Sequence, residues 1–453
     1  MAKRKKVRKG RGSRNRPTPV INPDAAGIDV GAREIYVAVP ADRDPEAVRV
    51  FDTFTSDLLE LAKWLASCGV KTVAMEATGV YRIALFAILE KRGIEVCLVN
   101  ARHLKRVPGR KTDILDCEWL QYLHSVGLLR GSFHPPEAVA AVRTLLRHRM
   151  SLIQMASSHV QHMQKALTQM NLQLHHVISD ITGLTGLSIL DAILAGERRP
   201  EVLAELRHPS IKASRETIVK ALTGNWRREH LFTLRQSLAA YRNYQDQIQQ
   251  CDQELHDLLG DFESRADPEE DPLPPPSRSH RDPTGFDLRT ELYRIIGVDL
   301  TAIPGVGIQT VYTLFAECGS DLSAFPTAGD FASWLGLCPD NRITGGKVLS
   351  AKTRKVDNPL ATALRLAAQS LHRSQSELGE FYRRMRYRQG PAKATTTSAH
   401  KLARIIYHLV TTGQPYDESV LTQHEHQTRA RKTRRLKAQA AALGIHLVAQ
   451  EAA

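Results

Sequence analysis

The sequence predicts an α/β domain of ribonuclease H-like element order, followed by an α-helical coiled-coil region and a further, mostly α-helical domain. Three observations predict it. Short apolar runs between residues 25 and 125 follow the order strand, strand, strand, helix, strand, helix, strand, helix. Two long stretches then carry apolar residues at heptad spacing. A segment dense in proline and charge, residues 263–285, separates them from a second helical region with glycine-rich turns.

In the α/β domain, "AAGIDVGAREIYVAVP" reads as two strands joined by a turn at Gly31 and Ala32, and "AVRVFDTF" as a third. "SDLLELAKWLAS" has helical spacing, with Ser56 expected as its N-cap. "KTVAME" and "IEVCLV" are short runs suited to buried strands, and "GVYRIALFAILEKRG" between them is helical.

Further on, Leu146, Arg149, Ile153, Ala156, Val160, Met163, Leu167 and Met170 recur at alternating intervals of three and four. Leu231, Leu234, Leu238, Tyr241, Gln245, Ile248, Asp252, Leu255 and Leu259 do the same. An antiparallel hairpin and an oligomerising seam are equally consistent with this pattern. The expected divisions are a basic, disordered arm over 1–22; the α/β domain over 23–137; the coiled-coil region with a helical insertion over 138–262; a mobile linker over 263–286; a helical domain over 287–424; and a basic tail over 425–453.

The formal net charge is +14, but "MAKRKKVRKGRGSRNR" alone carries nine Lys/Arg and "TRARKTRRLK" six, with no acid in either. The remainder sums to −1. Cationic ends of this kind bind polyanions by counterion release, which points to a nucleic-acid partner. No run reaches the roughly 18 apolar residues of a membrane span. The six cysteines are scattered without a C-x-x-C pair, which argues against zinc and disulfides and suits a reducing, cytoplasmic setting.

Four carboxylates stand out. Asp29 closes the first strand, Glu76 closes the "VAME" strand, and Asp113 and Asp116 in "RKTDILDCEW" lie one turn apart on the following helix. A cationic run of Arg102, Lys105, Arg106, Arg110 and Lys111 precedes the pair. Each acid alone suits an ordinary structural role: a turn, a helix cap, a solvated face. In a ribonuclease H-like sheet, however, these places converge. Four converging carboxylates repel one another, and Mg²⁺ or Mn²⁺ would relieve that repulsion through hard oxygen ligands. A two-ion site of this kind acts on phosphodiesters.

Two glycine-rich segments follow. "LTAIPGVGIQTVYTLFAECG" resembles half of a helix-hairpin-helix, with Gly305 and Gly307 shaping a turn whose amides face a phosphate. "GLCPDNRITGGKVLSAKTRK" combines Gly345 and Gly346 with the hydroxyls of Thr344 and Ser350 and with Arg342, Lys347, Lys352, Arg354 and Lys355. Residue chemistry alone favours a phosphate-gripping loop there, without a covalent role.

The sets "GIDVG", "MEATG" and "KTDILDCEWL", then "IPGVG", "FASWLGLCPDNRITGGK" and "TRKVDNPLATALRLAAQSL", resemble the insertion sequence 110 family of DEDD transposases, the bridge-RNA-guided recombinases. The resemblance runs from about residue 26 to about residue 415. It implies a RuvC-like nuclease domain using Mg²⁺ (or Mn²⁺) on Asp29, Glu76, Asp113 and Asp116, and a transposase domain bearing a serine nucleophile. It also implies donor and target DNA as substrates, a bridge RNA as guide, a homodimer or homotetramer as the working form, and a place with the bacterial nucleoid. The chain departs from the family at one position: Thr344 stands where the serine is expected, and its extra methyl stiffens χ1. Ser350 is the alternative nucleophile. A junction-resolving nuclease using water, and a nucleic-acid-binding protein without chemistry, are the rival readings.

Overall fold

The structure is a computed structural model, and it describes residues 19–77, 79–100, 113–275, 284–419, 433–437 and 439–441, with the side chains of 113–115 outside that description. The basic arm up to residue 18, the cationic run over 102–111 and most of the tail lie outside the described residues. The chain forms two compact units, Met1–His134 and Pro135–Ala453.

The first unit contains β1 (Ala25–Val30), β2 (Glu34–Ala38), β3 (Val48–Asp52), α1 (Thr55–Ser67), β4 (Thr72–Glu76), α2 (Arg82–Lys91), β5 (Glu95–Val99) and α3 (Asp113–Ser125). Its sheet has the order β3-β2-β1-β4-β5. The first three strands pair antiparallel, while β4 runs parallel to β1 and β5 parallel to β4. That is the ribonuclease H-like arrangement read from the sequence. Gly31 makes the β1–β2 turn because a Cβ there would stand 2.6 Å from the Glu34 carbonyl oxygen.

Strand alternation sends successive residues to opposite faces. Ile28 and Met75 join Leu61, Leu65, Leu85 and Leu89 in a core between the sheet, α1 and α2. Ala74 and Val99 face the other way and meet Leu120 of α3. The start of α1 differs from expectation. Phe54, not Ser56, is its N-cap, and no side chain caps it. The Phe54 carbonyl accepts from the amides of Asp57 and Leu58, so the helix begins one residue before Ser56 can act from outside it.

In the second unit, α4 (Glu137–Gln169) and α9 (Arg228–Gly260) pack along one another, and the heptad stripes meet within a single chain. Arg149 meets Asp252, and His159 stacks on Tyr244 with ring centroids 5.6 Å apart. Met163 and Leu167 share a core with Leu234 and Leu238, so the pair is antiparallel. Gln245 is exposed, and its neighbour Tyr244 fills that place in the seam. Four short helices, α5 (Leu174–Val177), α6 (Leu184–Ala195), α7 (Pro200–Glu205) and α8 (Arg215–Leu222), close the far end of the pair over Ile189, Ile193, Leu203 and Ile218.

The remainder comprises α10 (Leu288–Ile296), a 3₁₀ turn (Leu300–Ala302), α11 (Ile308–Cys318), α12 (Ala328–Trp334), β6 (Arg342–Thr344), β7 (Lys347–Ser350), α13 (Pro359–Ser370), a second 3₁₀ turn (Leu371–Arg373), α14 (Glu377–Gln389) and α15 (Pro391–Thr412). Arg143 on α4 donates to the carbonyls of Ala316 and Glu317 at 3.0 and 2.7 Å, fixing α11 against the long helix pair. The proline-rich segment is less free than its composition suggests. Arg294 donates to Phe262 O and Ser264 Oγ, Tyr293 OH to Asp271, and Arg289 to Pro274 O, at 2.7 to 2.9 Å. Side chains of α10 therefore hold this stretch down, while residues 276–283 lie outside the described residues. Among the described residues, no helix is long and apolar enough to cross a membrane.

Candidate functional site

Strand register places the first two acids. Gly27 pairs with Ala74 and Ile28 with Met75. One residue further on, Asp29 comes alongside Glu76 on adjacent parallel strands, which are about 4.8 Å apart. Both side chains belong to the face covered by α3, since Gly27 and Ala74, two residues before them, face that way.

The helix supplies the other pair. Gln121 Nε2 donates to Ala25 O at 3.3 Å. The α3 backbone crosses Gly27 so closely that a Cβ would stand 2.1 Å from Cys117 O and 2.3 Å from Gln121 N. At the opposite end, His124 Nε2 lies 2.8 Å from Thr72 Oγ1, and Asn22 Nδ2 donates to His124 O at 2.8 Å. The helix therefore runs antiparallel to β1. Its N-terminal turn, with the backbone of Asp113 four residues before Cys117, lies toward the strand ends that carry Asp29 and Glu76. Asp116 is half-buried. Cys117 is fully buried, and burial, with the charges of Glu118 and Asp29 adding, pushes its thiol up to about 12.

Carboxylate oxygens are donors of the kind a divalent cation takes, and the backbones of β1, β4 and the first turn of α3, which carry the acids, lie toward one sheet edge. Among the described residues, no three His, Cys, Asp or Glu side chains stand close enough together to hold one, and the Asp113 side chain lies outside the description. One residue here escaped the sequence reading. Arg82 opens α2, six positions beyond Glu76, and its Nε and Nη1 are buried without a hydrogen-bond partner among the described residues. Its only signal was a cation in the first turn of an otherwise apolar helix.

The glycine turns separate into packing and exposure. Gly305 has φ +84°, and a Cβ there would meet Ala367 O at 2.7 Å and Ser370 Oγ at 3.1 Å, so close packing on α13 explains it. Gly307 faces open space and is the N-cap of α11, whose first turn has no side-chain cap. Gly345 and Gly346 both have positive φ, 55° and 79°, the geometry of a two-residue type I′ hairpin turn between β6 and β7. Thr344 pairs with Lys347, and Arg342 with Ser350, so these four residues occupy one face. Thr344 is exposed, and its hydroxyl has no hydrogen-bond partner among the described residues. Ser350 Oγ accepts from the Lys352 amide at 3.3 Å. Arg354 donates instead to Ser333 O on α12. The four acids and this hairpin belong to different compact units.

Residues 26–172 match a family model described as a transposase, of the DEDD, IS110 kind, and residues 299–383 match one described as Transposase IS116/IS110/IS902 family. The chain belongs to the IS110/IS116 family of transposases. The first match spans all four acids, and the second spans both glycine turns. A Sinorhizobium fredii protein named as the transposase y4pF/y4sB is 34% identical over 131 residues, 26% of this chain. The chain spans about a third of the length of that curated relative, 32%. In this transposase-family chain, the helical insertion and α9 fall between the two matched segments.

Proposed function

We propose that this transposase-family chain cuts and rejoins DNA strands, with Asp29, Glu76, Asp113 and Asp116 holding Mg²⁺ or Mn²⁺. The convergence of β1, β4 and the N-terminal turn of α3 on one sheet edge carries the reading. When bound there, the cation neutralises charge on the scissile phosphodiester. Thr344 Oγ1 forms a bond to phosphorus as the bond to the departing strand's oxygen breaks. The threonine proton passes to solvent, and the departing oxygen takes one up. Attack by another strand's hydroxyl on the resulting phosphothreonyl ester completes rejoining and frees Thr344. Arg342 and Lys347, on the same hairpin face, steady the phosphate before and after attack. Gly307 and the α11 N-terminus, with Lys352 and Lys355, hold the backbone nearby. Sequence choice by a bridge RNA, and action as a homodimer or homotetramer, complete this reading and rest on the family resemblance.

A denaturing gel of protein incubated with the element's DNA, its adjacent structured RNA and Mg²⁺ tests this. Wild-type protein and Thr344→Ser should leave protein attached to DNA, whereas Thr344→Ala and Asp29→Asn should not. Undiminished adducts in Thr344→Ala would transfer the role to Ser350. A second reading is favoured because no hydrogen-bond partner among the described residues stands ready to take the Thr344 proton: hydrolysis by water, which predicts cut DNA without any adduct.

A further inference from the structure

A cavity of about 940 Å³ opens between the end of α13, the second 3₁₀ turn, α14 and the start of α15. Arg365, Arg373 and Arg386 line it with His372, Gln369 and Thr396, and among the described residues no Asp or Glu does. The surrounding stretch 365–404 carries nine Lys/Arg against two acids, Glu377 and Glu380. The near neutrality of the chain between its two basic ends thus conceals a concentrated cationic region. Other arginines of this unit are engaged: Arg289 with Asp299 at 2.6 Å, Arg294 with Glu291 at 3.0 Å, and Arg383 with Ser374 O. Arg373 and Arg386 are exposed, and their guanidinium groups have no ion pair or hydrogen bond among the described residues. The cavity also shares a wall with the glycine turn. Ser370 lines it, and Ser370 Oγ is the atom that lies 3.1 Å from where a Gly305 side chain would begin.

We infer that this cavity grips the backbone of duplex DNA through Arg373 and Arg386, alongside the α11 N-terminus. Guanidinium forks match phosphate oxygens, and unspent cations around a cavity without acids favour an anion over a neutral ligand. The lining favours a duplex over single-stranded RNA. Recognition of unstacked bases relies on exposed aromatic platforms. Among the described residues the one Phe, Tyr or Trp lining this cavity, Tyr382, is buried, with its hydroxyl 3.3 Å from Thr395 Oγ1 and His372 edge-on against its ring. Phosphate contacts of this kind set position and read no sequence. The inference rests on the reading that the chain acts on DNA, but not on its chemistry.

Full-length protein in EDTA, titrated with an arbitrary duplex of about 30 base pairs by fluorescence anisotropy across a salt series, tests it. Arg373→Ala and Arg386→Ala should each reduce the slope of log affinity against log salt by about 1. Together they should weaken binding about 10- to 30-fold near 0.15 M salt. The paired Lys variants should keep the slope, and Arg235→Ala on the exposed side of α9 should leave it unchanged. An unchanged slope in the double Ala variant, with unaltered circular dichroism, overturns the inference. So does a loss confined to a single-stranded RNA probe. Protein that binds with the arginine-dependent slope yet never cuts DNA in Mg²⁺ overturns the proposed chemistry and leaves the cavity standing. Protein that cuts while its slope ignores both arginines overturns the cavity alone.

Discussion

Arg149 of α4 and Asp252 of α9 form a buried ion pair inside the seam between the two helices, with Nε and Nη2 both engaging the carboxylate and Nη2 3.2 Å from Oδ2. Apolar knobs tolerate a shifted register, but this pair is satisfied in only one alignment of the two helices. Removing one partner strands the other charge in a dry seam. Arg149→Ala is therefore expected to cost about 3–5 kcal/mol, and Arg149→Met with Asp252→Leu to recover most of it. Urea titrations of the three proteins would decide this; equal losses in the single and double variants would mean the pair contributes packing alone.

The same two residues mark what could be read in advance. Arg149 and Asp252 are polar members of the two heptad stripes, and a sequence pattern shows polarity at a position but not its partner a hundred residues away. Asp29 and Glu76 were legible because each ends a run of apolar residues, and strand order then makes them neighbours. Gly27 gave no sign, although the close approach of Cys117 O is what seats α3. The docking of residues 262–274 on α10 was also hidden: composition reports what a segment can bury, whereas Arg289, Tyr293 and Arg294 reach back from another element.

Gly27→Ala tests how the acids are assembled. A methyl at that position must push α3 away from β1, since the atoms it meets are backbone. The expected cost is about 1–3 kcal/mol of stability, the range for overpacking. Metal-dependent DNA cutting should fall far more than DNA binding in EDTA, because the acids separate while the cationic surfaces persist. Cutting at the wild-type rate by a folded Gly27→Ala protein would place the decisive groups elsewhere.

The β6–β7 hairpin should be separable from global stability. Gly345 and Gly346 hold left-handed conformations that cost a β-branched residue about 1–2 kcal/mol each. Its flanking residues are exposed, Ile343, Val348 and Leu349 among them, so little core depends on it. Gly346→Val should leave the thermal midpoint nearly unchanged, speed limited proteolysis between residues 340 and 352, and abolish covalent DNA adducts. A falling midpoint with unchanged proteolysis would show that the hairpin is part of the folding unit.

His124 makes the α3 anchor pH-sensitive. Burial holds its imidazole below the ordinary value of 6.5, against the weaker opposing pull of Glu95. Its Nε2 meets Thr72 Oγ1 at the start of β4, a residue paired with Glu95 on β5. Below pH 6.5 the unfolded chain takes a proton that the folded one resists. Stability from this group is therefore complete above that pH and falls as the pH drops toward the folded value. The slope approaches about 1.4 kcal/mol per pH unit for one such site. His175 and His400 are lowered by burial too, so a global unfolding curve would mix the contributions. Hydrogen exchange of the peptide covering 72–76 isolates the one at α3. Its protection should weaken as the pH falls below 6.5 in the wild type, and stay level in His124→Gln, which keeps a hydrogen bond to Thr72 without titrating. Protection that weakens equally in both would remove His124 as the source of the acid sensitivity.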